Sequence, residues 1–525
     1  MNEAQAAAQP SDMLARDTMA ALLRHQARLG DKSLVVVDTK RLSYADADRR
    51  SRKLASGLAA GGIGRGSRVA MLFGNGPDFA VCFLALARIG ALAMPISTLS
   101  TPIEIGGMLR NADAEFFLST PSYRGKDFGA IVARALGTED IAGDLLLADL
   151  PVLRRVWIGI EGPEAAGDAD DPRVVALEAQ VSPADPLVVI HTSGSTSAPK
   201  GVTHTHGQVL RNMARQNLRR DYTEKECLLS NSPWFWIGGL AFGFIATLTA
   251  GARLLCTSLP PAEALDLIEA EQPTMTNGVA STVLALAKDP SFAGRNLSSM
   301  RRGNLYPIMP PDVRPADPEL RYNLLGMTET GSVYLLGGHE QDLPEAKRGS
   351  FGSAVEGVET RIVDPETGLD GPAGEMWVRG ANVMQGYYGR ERHEAFDDDG
   401  WFHTGDMMAV DADGDFYFKG RTGDIIRTSG AQVSPREVEG AISEAASGRM
   451  SIVIGIPDPE RDNLVTAVMV GDEPVDGDAL RLALKARLAP YKIPRKWVQM
   501  AEKDLPTMSS GKIDLRKLVE IVRDL

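Results

Sequence analysis

At 525 residues the chain is longer than a single hydrophobic core organises, so at least two domains are expected. Its 44% hydrophobic and 24% charged residues are those of an ordinary globular protein. A net charge of −13 argues against a nucleic-acid surface, though not against a local basic pocket for a nucleotide. Cys82, Cys227 and Cys256 are few and far apart, which points to a reducing compartment and away from a zinc site. The first fifteen residues lack the basic and apolar regions of a secretory signal. No apolar run is long enough to span a bilayer, and Arg88 interrupts the run 79–96. A cytoplasmic protein with no integral membrane segment and no nucleic-acid partner is expected.

Taken in chain order, residues 1–20 read as a loose lead-in giving way to a helix. A strand is predicted over 34–37, an amphipathic helix over 44–60, a strand over 68–73 ending at the Asn75-Gly76 turn, and a helix over 78–89 with Gly90 as its C-cap. Such alternation predicts an α/β fold, with parallel sheets carrying helices on their faces. The acidic stretch 161–173, which bears Gly and Pro, is expected to be an exposed loop. From about 349 to 418, short β-type runs such as 375–379 and 415–419 alternate with Gly and Asp turns and predict a small antiparallel β-barrel or sheet. Helices return after Arg421, with a strand over 451–456. The expected organisation is a lead-in (1–20), a large N-terminal domain (21–420), a hinge (421–424) and a small mobile α+β C-terminal domain (425–525).

The chemistry is concentrated in a few short segments. After the apolar run 187–190, residues Thr192, Ser193, Gly194, Ser195, Thr196, Ser197, Ala198, Pro199, Lys200 and Gly201 gather hydroxyls, backbone N–H groups and one cation, a set suited to a polyphosphate. It is not a Walker A loop, because Pro199 precedes Lys200 and Gly201 follows it. The alternative is an ordinary polar turn between strand and helix. Four further segments stand out: Gly326-Met-Thr-Glu329, Trp401-Phe-His-Thr-Gly-Asp406, 420–430 and 506–512. Alone, three of them have a simpler reading: Thr328 and Glu329 as a helix start, Thr404-Gly405-Asp406 as a turn, Lys512 as a solvated charge. His204 and His206 lack a third ligand nearby, so ordinary surface or packing roles are preferred to metal binding.

In order and spacing these segments resemble the motifs of the adenylate-forming (AMP-binding) superfamily, acyl-CoA synthetase type, from about Leu42 to Ile513. The resemblance implies an ATP-dependent acid–CoA ligase that forms an acyl-adenylate and then a thioester, with ATP, Mg²⁺ and CoA as cofactor and co-substrates. It implies that Thr192, Ser193, Gly194, Ser195, Thr196, Lys200 and Thr328 hold the ATP phosphates, that Glu329 and Thr192 hold the metal, that Asp406 holds the ribose and that Arg421 contacts the ribose or a phosphate. Lys512 then matches the catalytic lysine. A mobile cation there would bridge the attacking carboxylate and the α-phosphate, where negative charge gathers. Trp236, Gly278 and Gly430 match the acyl and CoA channel. No acidic residue lies in 231–243 to hold a substrate ammonium, so an amino acid is not expected. Loading of a carrier protein in trans and non-catalytic binding of nucleotide or acyl group are the alternatives.

The chain departs from the family pattern at several positions. Leu325 replaces the aromatic residue that stacks on adenine, and Gly303-Asn-Leu-Tyr-Pro307 replaces a small-residue turn, with Tyr306 as a substitute ring. Ser197 stands for a Gly, Trp236 for a His, and Gly423 for the hinge Asp or Lys.

Overall fold

The computed structural model describes residues 17–141, 143–192, 200–278, 280–321, 323–337, 342–422, 426–428, 431–458, 461–485, 487–488, 490–508 and 512–525. The chain divides into two compact units, 1–359 with 379–400 and 360–378 with 401–525.

The first unit holds a seven-stranded sheet in the order Gly386–Tyr387, Lys200–Thr205, Pro186–Thr192, Leu92–Pro95, Arg68–Leu72, Phe116–Ser119, Arg155–Ile158. From Pro186–Thr192 onward neighbouring strands pair in parallel, and at the other edge three strands pair antiparallel. Val69, Ala70, Met71 and Leu72 are all buried, as are Leu187 to Ile190, because strands covered on both faces need unbroken apolar runs rather than alternation. A second sheet of six strands carries Cys227–Leu229, Arg253–Cys256 and Ser33–Val37 in parallel at its centre. The helix Tyr44–Ala60 forms where predicted, with Ser43 as its N-cap accepting from the Asp46 N–H at 3.1 Å. The helix Pro77–Arg88 is buried almost all round, so it is a core helix rather than an amphipathic one.

Two expectations change. Residues 161–173 are not a loop. They enter the helices Glu161–Ala166 and Pro172–Gln180. Asp171 caps the second, accepting from the Arg173 N–H at 2.9 Å, and Pro172 supplies a pre-set first turn. Glu164 takes a two-pronged contact from Arg50, with both bonds at 2.8 Å, and a Cβ on Gly57 would fall 1.9 Å from the Pro163 oxygen. Tertiary pairing therefore recruits a segment whose composition reads as a loop. Second, the alternative of a turn between strand and helix for 192–201 gives way: Lys200–Thr205 is a strand antiparallel to Pro186–Thr192, and the helix His206–Arg219 begins only after it.

Arg88, which breaks the apolar run, is fully buried. Its guanidinium bonds to Asp48 and Glu178 and, at 2.9 Å, to the Ser51 hydroxyl. Burial pulls its pKa down to about 10, against the opposing pull of Asp48. Among the described residues no helix is long and apolar enough to cross a membrane.

In the second unit, Glu359–Val363, Ala373–Arg379, Phe402–Val410 and Phe416–Arg421 form a four-stranded sheet, and no pairing among the described residues closes it into a barrel. Beyond it, the hairpin Ser451–Asp458/Asp462–Val470 takes Lys496–Met500 in parallel. Alternation along this sheet feeds two cores. Val453, Val465 and Ala467 pack with Val438, Ile442 and Leu484, whereas Ile452, Ile454 and Val468 pack with Leu518 and Val522.

Arg88→Ala would leave two buried carboxylates with only Arg24 and Arg52, whose side chains are 49% and 34% exposed. We expect a loss of about 3–5 kcal/mol, read as a lower urea midpoint.

Candidate active site

The base of the phosphate hairpin brings Thr192 and Lys200 opposite each other in register, with the Thr192 hydroxyl 3.4 Å from the Lys200 carbonyl. Ser193, Gly194, Ser195, Thr196 and Ser197 lie outside the described residues. Gly201 follows because the strands close in tightly, and a Cβ there would sit 2.7 Å from Val189 and 3.2 Å from Tyr388. The segment 384–388 then runs along this hairpin. The Tyr388 N–H donates to the Gly201 carbonyl at 2.7 Å and the Gln385 N–H to that of Thr203 at 3.0 Å.

Glu329 sits in a tight turn between the strands Leu324–Met327 and Ser332–Leu336. The turn is fastened to the phosphate hairpin from below. His204 Nε2 lies 2.7 Å from the Thr328 carbonyl, and with that partner Nε2 is the protonated, donating nitrogen. On the helix His206–Arg219 three amides four residues apart continue the line. Gln208 donates to the Asn382 carbonyl at 2.8 Å, Asn212 to that of Thr330 at 3.5 Å, and Gln216 to that of Val333 at 2.8 Å. Spacing by four puts them on one helix face, and all three are buried. Both His204 and His206 are buried rather than at the surface. The Nδ1 of His206 accepts from the Met19 N–H at 3.2 Å.

Tyr387 is a residue that sequence reading missed. Its hydroxyl donates to Glu329 Oε1 at 3.0 Å, and Lys200 Nζ lies 4.9 Å from the centre of its ring. Burial, reinforced by the Glu329 carboxylate, pushes the phenol's pKa well up, so it acts as a donor. Glu329 and Thr192 offer hard oxygen atoms. Among the described residues no group of three or more His, Cys, Asp or Glu could hold a metal by itself. That donor set fits Mg²⁺, which commonly takes one or two protein oxygens and completes its shell with water and nucleotide phosphates.

Of the channel candidates, Gly278 is clamped by Asn304, which accepts from its N–H at 3.0 Å and donates to its carbonyl at 2.9 Å. The divergent 303–307 segment thus braces Gly278. Gly303 is obligatory there, since a Cβ would fall 2.0 Å from the Thr276 carbonyl oxygen. Tyr306 is half-buried against the core that contains Leu305 and Ile308, and Leu325 is half-buried in its strand. Trp236 is half-buried ahead of the π-helical segment Gly238–Ile245. Its neighbour Trp234 is core, stacked on Phe244 at 5.0 Å.

In the second unit Asp406 is buried, and Arg421 Nε donates to its Oδ1 at 2.8 Å. Asp406 lies where the pairing of its strand with Ala373–Arg379 shifts register, and its neighbours shape that irregularity. Gly405 has φ +72, a conformation Gly adopts without strain, and its N–H donates to Glu375 Oε1 at 2.9 Å. Lys512 is exposed, and its carbonyl accepts from the Met508 N–H at 2.8 Å. Gly423 and Gly430 lie outside the described residues.

The hairpin bearing Thr192 and Lys200 is thus joined through His204 and Tyr387 to the turn bearing Glu329, and comparison with known proteins gives this arrangement a family. The profile of the AMP-binding enzyme family matches residues 22–388, and the chain belongs to that family. It is 32% identical over 491 residues to a feruloyl-CoA synthase of an Amycolatopsis species, covering 90% of this chain and 92% of the relative. It is 30% identical over 515 residues to an indoleacetate–CoA ligase of Aromatoleum aromaticum, covering 94% and 97%. Its fold matches ATP-bound MatB from Rhodopseudomonas palustris with a TM-score of 0.78 at 26% identity, over 96% of this chain and 99% of that one. The protein is an acid–CoA ligase, and enzymes of this type use ATP, Mg²⁺ and CoA.

His204→Leu removes the donor to the Thr328 carbonyl. We expect a loss of about 1–3 kcal/mol in urea unfolding and a raised KM for ATP, with kcat less affected. Acid also tests the buried histidines. Burial depresses the His206 pKa from 6.5 to about 4. Between those values the unfolded chain binds a proton that the native one refuses, so stability falls as pH drops from 6.5 towards 4. By about pH 5 this linkage amounts to about 2 kcal/mol, and His206→Gln should flatten the dependence of the urea midpoint on pH.

Proposed function

We propose that the enzyme activates an aryl-substituted carboxylic acid in two steps. In the first, a carboxylate oxygen attacks the α-phosphorus of ATP, the bond to the pyrophosphate oxygen breaks, and an acyl-adenylate forms. In the second, the CoA thiol attacks the acyl carbon, loses its proton, and AMP leaves with the thioester formed. The observation that carries this reading is the arrangement of Thr192, Lys200, Tyr387 and Glu329 around one hairpin base, in a chain similar to aryl-acid CoA ligases.

Each residue has a role in this scheme. Lys200 neutralises the pyrophosphate side, with the hydroxyls and N–H groups of 192–196 as further partners, and Thr328 binds phosphate. Glu329 and Thr192 would hold Mg²⁺, which when bound neutralises the polyphosphate. Asp406 accepts from the ribose hydroxyls, with Arg421 beside it. Lys512 stabilises charge on the attacking carboxylate and the α-phosphate. Residues 421–424 act as the hinge between an N-terminal domain and a C-terminal lid, and Gly423 gives that hinge wide backbone freedom. Trp236, Gly278 and Gly430 line the acyl and CoA channel. The absence of any acidic side chain from 231–243 disfavours an ammonium-bearing substrate. The three cysteines are free and buried, which supports a reducing, cytoplasmic setting.

The test is a panel of ferulic, 4-coumaric, indoleacetic, benzoic and octanoic acids, read by acid-dependent pyrophosphate–ATP exchange and CoA-dependent AMP release. An aryl-substituted acid should give the highest kcat/KM, and a panel with no exchange would overturn the proposal. Lys512→Ala should lower exchange by about 10²–10³, while thioester formation from supplied acyl-adenylate stays near that of the unmodified enzyme.

A further inference from the structure

We propose that Tyr387 is a positioning residue for adenylation, holding the Glu329 carboxylate in one orientation and seating the Lys200 ammonium on its ring. The inference rests on the reading of Glu329 as a metal ligand and Lys200 as a phosphate ligand.

The geometry is specific. Tyr387 belongs to a strand of two residues, Gly386–Tyr387, paired with the phosphate hairpin at Val202 and Thr203. The same segment is anchored at Glu329, whose carbonyl accepts from the Met384 N–H at 2.7 Å. The backbone around Tyr387 is therefore bonded both to the hairpin that bears Lys200 and to the residue whose carboxylate its side chain touches. The hydroxyl occupies Glu329 Oε1 at 3.0 Å and leaves Oε2 as the oxygen for a cation. A carboxylate held in this way is a one-oxygen ligand of fixed direction, the mode that Mg²⁺ uses beside nucleotide phosphates. The face of the same ring lies under Lys200 Nζ at 4.9 Å, close enough for a cation–π attraction. Arg390 approaches the ring as well, with its guanidinium carbon 5.9 Å from the centre. A buried tyrosine hydroxyl commonly does no more than satisfy a hydrogen bond. Here one side chain contacts both a candidate metal ligand and a candidate phosphate ligand, and each contact predicts a separate loss.

The experiment separates them. Binding of Mn²⁺ to the ATP-loaded full-length protein is followed by loss of the free-Mn²⁺ EPR signal, and ATP binding without metal is followed by calorimetry. Tyr387→Phe keeps the ring and removes the hydroxyl. It should weaken Mn²⁺ binding roughly tenfold and leave metal-free ATP affinity unchanged. Tyr387→Leu should in addition weaken metal-free ATP binding severalfold, as Lys200 loses its seat. In exchange assays Y387F should raise the Mg²⁺ concentration at half-maximal rate while the KM for the acid holds. A folded Y387F with unaltered Mn²⁺ binding overturns the proposal, and if Y387L fails to fold, Y387F decides alone. Glu329→Gln locates the failure. If E329Q also leaves Mn²⁺ binding unchanged, the metal reading itself is wrong. If E329Q weakens binding and Y387F does not, only the role of Tyr387 falls.

Discussion

One buried polar line sets the geometry of the first unit. His204, Gln208, Asn212 and Gln216 reach the carbonyls of Thr328, Asn382, Thr330 and Val333. None of these side chains meets solvent to any useful extent, so no water stands ready to replace a missing partner. A buried carbonyl that loses its donor costs about 1–3 kcal/mol, which makes the line nearly all-or-none. The consequence is geometric. The turn bearing Thr328 and Glu329 cannot take its place unless the helix after the phosphate hairpin takes its own. Residue 382 and the strand bearing Tyr387 are fixed to the same frame. Adenylation demands that phosphate ligands and metal ligand hold their relative positions closely, and this line supplies that rigidity from side chains that touch no substrate in the proposed scheme.

Much of this was legible in the sequence, for identifiable reasons. The runs 68–73 and 187–190 read as a strand and an apolar β-type run, and both supply strands of the seven-stranded sheet. The short motifs at 192–201, 326–329, 401–406 and 506–512 pointed to the family. What escaped has physical causes. The helices Glu161–Ala166 and Pro172–Gln180 owe their place to Arg50, Ser56 and the close approach at Gly57, all distant in sequence. The phosphate hairpin hid its second strand because the run Lys200–Thr205 alternates weakly and leads directly into a helix. Gln208, Asn212 and Gln216 look like a solvent face, since amides carry no mark of burial. Their spacing by four, beside the buried Val209 and Met213, was the available signal. Tyr387 gave no local signal, for both of its partners lie far away in the chain.

The departures from the family pattern now have different weights. The 303–307 segment is an integrated part of the second sheet, with Gly303 forced by Thr276 and Asn304 clamping Gly278. It is a rebuilt wall rather than a damaged one. Leu325 and Tyr306 are both half-buried, with Tyr306 packed against the core. Leu325, the 303–307 segment and Trp236 are departures at the expected adenine and acyl sites, whereas Ser197 and Gly423 fall in the expected phosphate loop and hinge. The groups proposed to handle phosphate, metal and ribose, from Thr192 and Lys200 to Glu329, Asp406 and Arg421, keep coherent partners.

The most direct test of that account follows one oxygen atom. The best acid of the panel, labelled with ¹⁸O in its carboxylate, is turned over with ATP and CoA, and the nucleotide product is weighed by mass spectrometry. Attack of the carboxylate on the α-phosphorus predicts AMP carrying one ¹⁸O, with unlabelled pyrophosphate. Unlabelled AMP, or ADP as the nucleotide product, would contradict it.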